Sequence, residues 1–556
     1  MIADYKFRLA SARLSVQLCL LGLLVGVVAS VLIIAFQLTV ASLQSLLWFA
    51  AEDFTQQPQW MRVALPIGGA ITIAALMHFS KRHYRRTGIA FVIHRIQKHY
   101  GRIPLGSGIN QFITAVLALV SGFSVGREGP AVHIGASAAT MVTRWWSLPD
   151  NTMKILSCCG VAAGISAIFN TPLAGVIFVL EVVLREYKVH YFLPITIAAV
   201  TASVSSRIAF GDVHLYASLE LPQMPLELYP TLVGFGLVLG LVAAFFHHAL
   251  IRTNSMSHHL PQWQRIVAAG IITAAVGLLI PQALGGEHSV VALSHLADTG
   301  LMLLASLLIA KIVLTIAAIG LGIPGGLIGP MYGIGALLGG TMCLLFTPLL
   351  PQVEQYLSLY TAISMTAMMA VCLNAPIAGL LALVELTNNA TVILPFLLVT
   401  IPAFLLAHLG LGAKPIFLRQ LDIMGLGYRV PPIEQDLSKT GVLALMHTDL
   451  ICGRADLNAA QQLELIKTAA GSHLLIPSEQ GQQLVSLHSD FTDADNNPLA
   501  CTELSGLPDN ATLAEVYLLL SPSRQGMVYI YHGDPSCPIG LISWSKLHNF
   551  ARYGTS

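Results

Sequence analysis

A five-residue stretch with two adjacent charges, Gly126-Arg127-Glu128-Gly129-Pro130, lies in an apolar chain and returns without its charges as Gly326-Leu327-Ile328-Gly329-Pro330. Each copy runs on into Ile-Gly-Ala, at Ile134-Gly135-Ala136 and Ile334-Gly335-Ala336, and the prolines at 130 and 330 stand 200 positions apart. A second pair, Asn170-Thr171-Pro172-Leu173-Ala174-Gly175 and Asn374-Ala375-Pro376-Ile377-Ala378-Gly379, follows in the same order, with 170 and 374 separated by 204. Ordered matches at nearly one offset divide the chain into two structural halves. In membrane transporters such halves place a site at their interface and build it from broken helices.

The 556 residues are 55% hydrophobic and only 10% charged, whereas soluble domains carry about a quarter charged residues. Apolar runs extend from Leu14 to His408, several of them shorter than the roughly 20 residues of a straight span and many interrupted by Gly or Pro. The expected fold is an all-α polytopic membrane protein with tilted, re-entrant and discontinuous helices over residues 1-430, followed by a small α/β tail over 431-556. A nucleic-acid-binding protein does not fit this composition. Met1 to Arg13, with Lys6, Arg8 and Arg13, reads as the flank of an uncleaved first membrane segment.

From Pro431 onward the chain holds 6 Lys+Arg against 13 Asp+Glu, which leaves 23 against 15 for the membrane part. A net positive membrane part suits an anion handler, and positive-inside loops give the same excess. The basic loop Lys81-Arg82-His83-Tyr84-Arg85-Arg86 is assigned to the cytoplasmic face on that rule. The eight cysteines form no C-x-x-C pair and no metal spacing, so no metal is expected and the tail reads as cytosolic and reduced.

Proline at a first helical position costs no backbone donor, and glycines let the preceding loop approach a ligand. The 126-130 loop therefore aims N-H groups, a helix dipole and the Glu128 carboxylate at one place. A carboxylate at the bilayer centre costs on the order of 2.5 to 3.5 kcal/mol. Glu128 therefore reads as a proton-responsive gate; a salt bridge to Arg127 is the plainer alternative, set against by the different directions in which adjacent residues point. Ser107, in Leu105-Gly106-Ser107-Gly108-Ile109-Asn110, is either an anion donor or a helix cap. Glu181 and Glu385 close equivalent helices and are assigned chiefly to helix-end pairing, Phe417 after Lys414-Pro415-Ile416 reads as a core aromatic, and His133 as core.

Taken in order, Gly106-Ser107-Gly108-Ile109, Gly126-Arg127-Glu128-Gly129-Pro130, Gly322-Ile323-Pro324-Gly325-Gly326-Leu327-Ile328-Gly329-Pro330 and Lys414-Pro415-Ile416-Phe417 resemble the four signature regions of the CLC family of chloride channels and chloride/proton antiporters. The resemblance covers roughly Leu14 to Gly427. It implies a homodimer in the lipid bilayer, one anion pathway per subunit, two inverted halves, and no required cofactor. By the resemblance Glu128 is the gating glutamate, and chloride is held by Ser107 with Gly108 and Ile109, by the N-H groups of Leu327 and Ile328, and at the place of Phe417. Gly106, Gly126, Arg127, Gly129, Pro130, Gly326 and Pro330 support these groups.

Three departures matter. Asn110 stands where the first motif has Pro. Ile328 and Phe417 replace Phe and Tyr, and Phe417 has no hydroxyl to donate. Val182 stands where antiporters resembling this chain carry an inner proton-passing glutamate, and an aliphatic side chain cannot carry a proton. The resemblance with this valine implies a proton-gated, voltage-gated-type chloride channel, with chloride/proton exchange by another inner proton route as the alternative. An intramembrane enzyme is set aside because neither motif core holds a His or Lys to activate Ser107.

The tail reads as two units of helix, strand, turn, strand and helix. The first runs from Ala459 to a helix near Asp490, the second from Leu513 to a helix starting at Lys546. Two such units resemble a CBS domain pair. In such pairs an aspartate at the start of the last helix binds adenine nucleotides; Asp490 matches it and Lys546 does not, so a dimerising scaffold is preferred over a nucleotide site. The expected setting is a bacterial inner membrane with the tail in the cytoplasm.

Overall fold

The computed structural model describes residues 16–47, 54, 57–144, 148–187, 189–211, 221–286, 300–427, 432–454, 457–468, 473–478, 481–487 and 499–553. The first half holds helices α1 (Val16–Leu47), α2 (Gln59–Phe79), α3 (Gly88–Lys98), α4 (Leu105–Val120), α5 (Glu128–Thr143), α6 (Asp150–Phe169), α7 (Pro172–Phe178) and α8 (Val189–Phe210). The second holds α9 (Tyr229–Ser257), α10 (Gln262–Leu279), α11 (Leu301–Leu321), α12 (Ile328–Phe346), α13 (Leu357–Leu373), α14 (Pro376–Thr387), α15 (Ile393–Phe404) and α16 (Ile416–Ile423). Among the described residues ten helices are long and apolar enough to cross a membrane. One compact unit is Cys19–Val142 with Lys154–Tyr428, and a second is built chiefly on Arg429–Ser556.

The repeated Asn-x-Pro segments are helix breaks with a local cause. Asn170 and Asn374 take left-handed φ values of 58° and 60°, ending α6 and α13. Asn tolerates that region better than most residues. Two positions later Pro172 and Pro376 restart the chain as α7 and α14, where the missing N-H costs nothing. The same device in both halves turns a long apolar run into two shorter helices.

Burial separates a central layer from a lipid-facing one. In Asp150–Phe169 and in the span Pro351–Leu373 94% of the apolar window is buried, and in Ile328–Phe346 83%; in Gln59–Phe79 the figure is 28%. Small residues permit the central contacts. A Cβ on Gly135 would collide with Gly160 O, and one on Gly335 with Ser364 O, so α5 meets α6 and α12 meets α13 backbone to backbone.

The two halves also complete each other's helix ends. Glu181 accepts from the N-H groups of Ile377 and Ala378 at 3.3 and 2.8 Å, at the start of α14. Glu385 accepts from Leu173 and Ala174 at 2.9 and 2.8 Å, at the start of α7. This is the helix-end pairing expected of these two carboxylates. Glu385→Ala leaves the N-H groups of exposed Leu173 and buried Ala174 unmatched and is expected to cost about 1–3 kcal/mol, with Glu385→Gln milder. Thermal unfolding in detergent checks it; an unchanged Tm for Glu385→Ala would contradict the pairing as a source of stability.

The tail carries α17 (Pro432–Leu437), α18 (Ala459–Thr468), α19 (Leu513–Leu520), α20 (Trp544–Tyr553) and six strands: β1 (Leu450–Cys452), β2 (His473–Ser478), β3 (Gly481–Leu487), β4 (Leu499–Pro508), β5 (Met527–Tyr531) and β6 (Pro538–Ser543). They form one sheet in sequence order. Each unit repeats a parallel pair bridged by a helix, β1 with β2 and β4 with β5, followed by an antiparallel hairpin to β3 or β6. The helix and strand positions agree with the expected order, and a leading strand, β1 or β4, is added to each unit. The expected helix near Asp490 lies outside the described residues.

Candidate functional site

Helix starts from both halves converge on one cavity of about 360 Å³. Its walls include Thr87-Gly88-Ile89-Ala90 at the start of α3, Gly322 to Leu327 ahead of α12, and Phe417 at the start of α16. The first N-H groups of a helix lack intrahelical partners and carry the positive end of its dipole, so such a cavity favours an anion. Thr87 is the N-cap residue of α3, yet its side chain makes no capping bond. Gly88, with φ of 86°, donates its N-H to Gln111 Oε1 at 2.8 Å.

Gly326 is part of the cavity wall. Here Gly126 and Gly326 exchange two backbone hydrogen bonds, 2.8 and 2.7 Å long, in an antiparallel bridge that ties the halves together. A Cβ on either glycine would collide with the Glu128 carboxylate. The carboxyl group thus fills the notch left by two absent side chains, and Glu128 is fully buried. Gly129 packs with equal closeness, since a Cβ there would lie 2.7 Å from Gly325 O. Leu327 lines the cavity; Ile328, one residue on, is buried behind it.

Ser107 is not brought to this cavity. It is fully buried in α4, donates to Pro104 O at 2.7 Å, and lies 3.0 Å from Nε2 of His133, whose ring stacks on Phe91. Gly108 faces Ser137, and Ile109 is 63% exposed on the outer side of the helix. The stretch instead supports the loop that does border the cavity. Gly106 makes room for the Tyr84 ring, Asn110 Nδ2 donates to Tyr84 O at 3.1 Å, and Gln111 holds Gly88. The hydroxyl residue at a helix start that does line this cavity is Thr87. Its signal in the sequence is Thr87-Gly88-Ile89, the same hydroxyl-Gly-Ile order as Ser107-Gly108-Ile109, twenty positions earlier.

A second, smaller cavity is lined by Ile93, Glu181, Val182, Arg185, Leu373, Asn374, Pro415, Phe417 and Leu418. Val182 therefore has a carboxylate beside it on the same wall, and Phe417 borders both cavities. Sequence reasoning also missed Lys311. This lysine is fully buried and donates to the carbonyls of Ala283, Gly285 and Gly286 at 3.3, 2.8 and 2.6 Å. Gly285 in turn donates to Gly122 O at 3.0 Å, and Thr315, one turn after Lys311, meets Ser124 at 2.9 Å. The loop leading to Glu128 is thus tied to α11 directly at Ser124 and, through Gly285, at Gly122. The signal was a lone lysine in a helix otherwise free of charge.

Residues 68–408 match the family model described as voltage gated chloride channel. A Ralstonia nicotianae protein named as a ClcB-like chloride channel is 28% identical over 410 residues, covering 72% of this chain and 95% of the relative. An H(+)/Cl(-) exchange transporter ClcA of Salmonella agona is 30% identical over 319 residues, 55% of this chain and 67% of the relative. Among solved structures, a slow cyanobacterial Cl-/H+ antiporter superposes with a TM-score of 0.66 at 23% identity, over 74% of this chain and 99% of that one. A eukaryotic CLC transporter gives 0.62 at 16% identity, over 95% and 98%. With the matched model spanning well over half the chain, the protein belongs to the voltage-gated chloride channel (CLC) family.

Proposed function

We propose that the protein exchanges chloride for protons, with the 360 Å³ cavity as the chloride route and Glu128 as its gate. The observation that carries this reading is the seat of Glu128: a fully buried carboxyl group lodged between Gly126 and Gly326, the second of which lines the cavity. As an anion the carboxylate competes with chloride for that place; protonated, it gives up the charge that holds it among helix N-termini. Chloride is coordinated by the Thr87 hydroxyl and by N-H groups at the start of α12, with Phe417 closing the far side. Val182 favours a channel, yet relatives and structural neighbours named as exchangers favour coupling. Glu181 lines the smaller cavity together with Val182 and Phe417, which supports it as a carboxylate for the inner proton route.

Simultaneous chloride and proton flux from proteoliposomes tests the reading. A chloride gradient alone, with potassium and valinomycin setting the voltage, is expected to drive protons in fixed ratio; chloride movement without protons would make the protein a channel. Thr87→Ala removes a hydrogen bond to an anion, worth roughly 1.5–3 kcal/mol. Calorimetry should show chloride affinity about tenfold weaker or worse, and an unchanged affinity would remove Thr87 from the site. A homodimer and a cytoplasmic, CBS-like scaffold tail belong to the same proposal. Light scattering in detergent checks the first, and ATP or AMP titration checks whether the tail also takes nucleotide.

A further inference from the structure

The mouth of the cavity carries more positive charge than a monovalent ion requires. Arg82, Arg85, Arg86 and Arg265 line it with His258, and no Asp or Glu is among the lining residues. Three of these arginines come from one loop, and that loop is fixed. Arg85 donates from Nε to Ser80 O at 2.9 Å and from Nη2 to His78 O at 2.6 Å. Asn110 holds the Tyr84 carbonyl at 3.1 Å and accepts from Ser80 Oγ at 3.3 Å. Arg85 is thus largely spent on the fold, which leaves Arg82 and Arg86, both exposed, and the half-buried Arg265 from α10 to face a ligand.

A loop of positive charge on the cytoplasmic rule alone would need neither this anchoring nor an arginine from a distant helix in the same wall. Guanidinium groups pair with oxyanions in two-point fashion, a geometry that a spherical halide cannot use. A cavity of about 360 Å³ is also roomy for chloride and falls in the range of small-molecule sites. We propose that the mouth is a binding site for a small multivalent oxyanion of the phosphate class, and that an oxyanion held there obstructs the chloride route to Thr87 and Gly326. The obstruction rests on reading the cavity as the chloride route; the binding does not.

Two measurements on the full-length protein separate these claims. In proteoliposomes, millimolar inorganic pyrophosphate on the side bearing residues 81–86 is expected to cut chloride flux several-fold, with relief by added chloride. Gluconate at matched ionic strength should not. In detergent, calorimetry with pyrophosphate should show binding that weakens about tenfold in the Arg82→Gln/Arg86→Gln pair and again in Arg265→Gln. Arg86→Lys, which keeps the charge and loses the fork, should fall between. Equal inhibition by gluconate, or pyrophosphate binding unaltered in both the double variant and Arg265→Gln, would overturn the site and leave only a diffuse electrostatic funnel. Binding that behaves as expected in a protein that moves no chloride would keep the site and remove the transport reading. Transport without pyrophosphate binding would do the reverse.

Discussion

Glu128→Gln is expected to bring proton movement down to the background of empty liposomes while chloride still passes, and to flatten the dependence of chloride flux on pH. The amide has the shape of the protonated acid, so it leaves the notch between Gly126 and Gly326 without the charge that competes with chloride there. It also cannot carry a proton. A tenfold or greater loss of the proton-to-chloride ratio is the expected size of the effect, since the proposed exchange passes every proton through this one titrating group. The decisive reading is the pH profile. If chloride flux in Glu128→Gln still rises with acid as it does in the native protein, the gate lies elsewhere.

Gly326→Ala should be nearly as severe, for a steric reason. The added Cβ would meet the Glu128 carboxylate, Gly129 N at 2.6 Å and Gly126 O at 2.9 Å. Two of those three obstacles are backbone atoms, one of them in the bridge that joins the halves, so they cannot give way as a flexible side chain would. Flux is expected to fall more than tenfold. Combining it with Glu128→Ala removes one obstacle and should restore only part of the rate. Native transport by Gly326→Ala would mean that the bridge opens during the cycle and that its closed geometry is not what ions encounter.

Much of this site was legible because its devices are local. Glycine pairs, prolines at helix starts and asparagines before them each act within a few residues, so the 126–130 and 326–330 loops and the Asn170 and Asn374 breaks could be read in order along the chain. The place of Ser107 outside the cavity lining has a different origin. Both Ser107 and Thr87 stand next to a glycine at the start of a helix; what distinguishes them is which helix start borders open space and which is packed against His133 and Pro104. That is decided by the packing of α3, α4 and α5, which no short window records. Lys311 was legible as a lone charge, but its partners are carbonyls 25 to 28 residues away, and a carbonyl leaves no trace in the sequence. In the tail, β1 has only three residues and β4 contains Gly506 and Pro508. Neither carries the alternation that marks a strand before its neighbours are known.

The crossed carboxylates also set a timetable for biogenesis. Leu173 and Glu385 are 212 residues apart, so the first half enters the membrane with the start of α7 lacking its acceptor and must wait for almost the whole second half to be synthesised. Until then its N-H groups depend on lipid headgroups, water or an insertion chaperone. A chain truncated before residue 385 should therefore insert and yet remain open to proteolysis near residue 172, with resistance appearing only once the last apolar helices have left the ribosome.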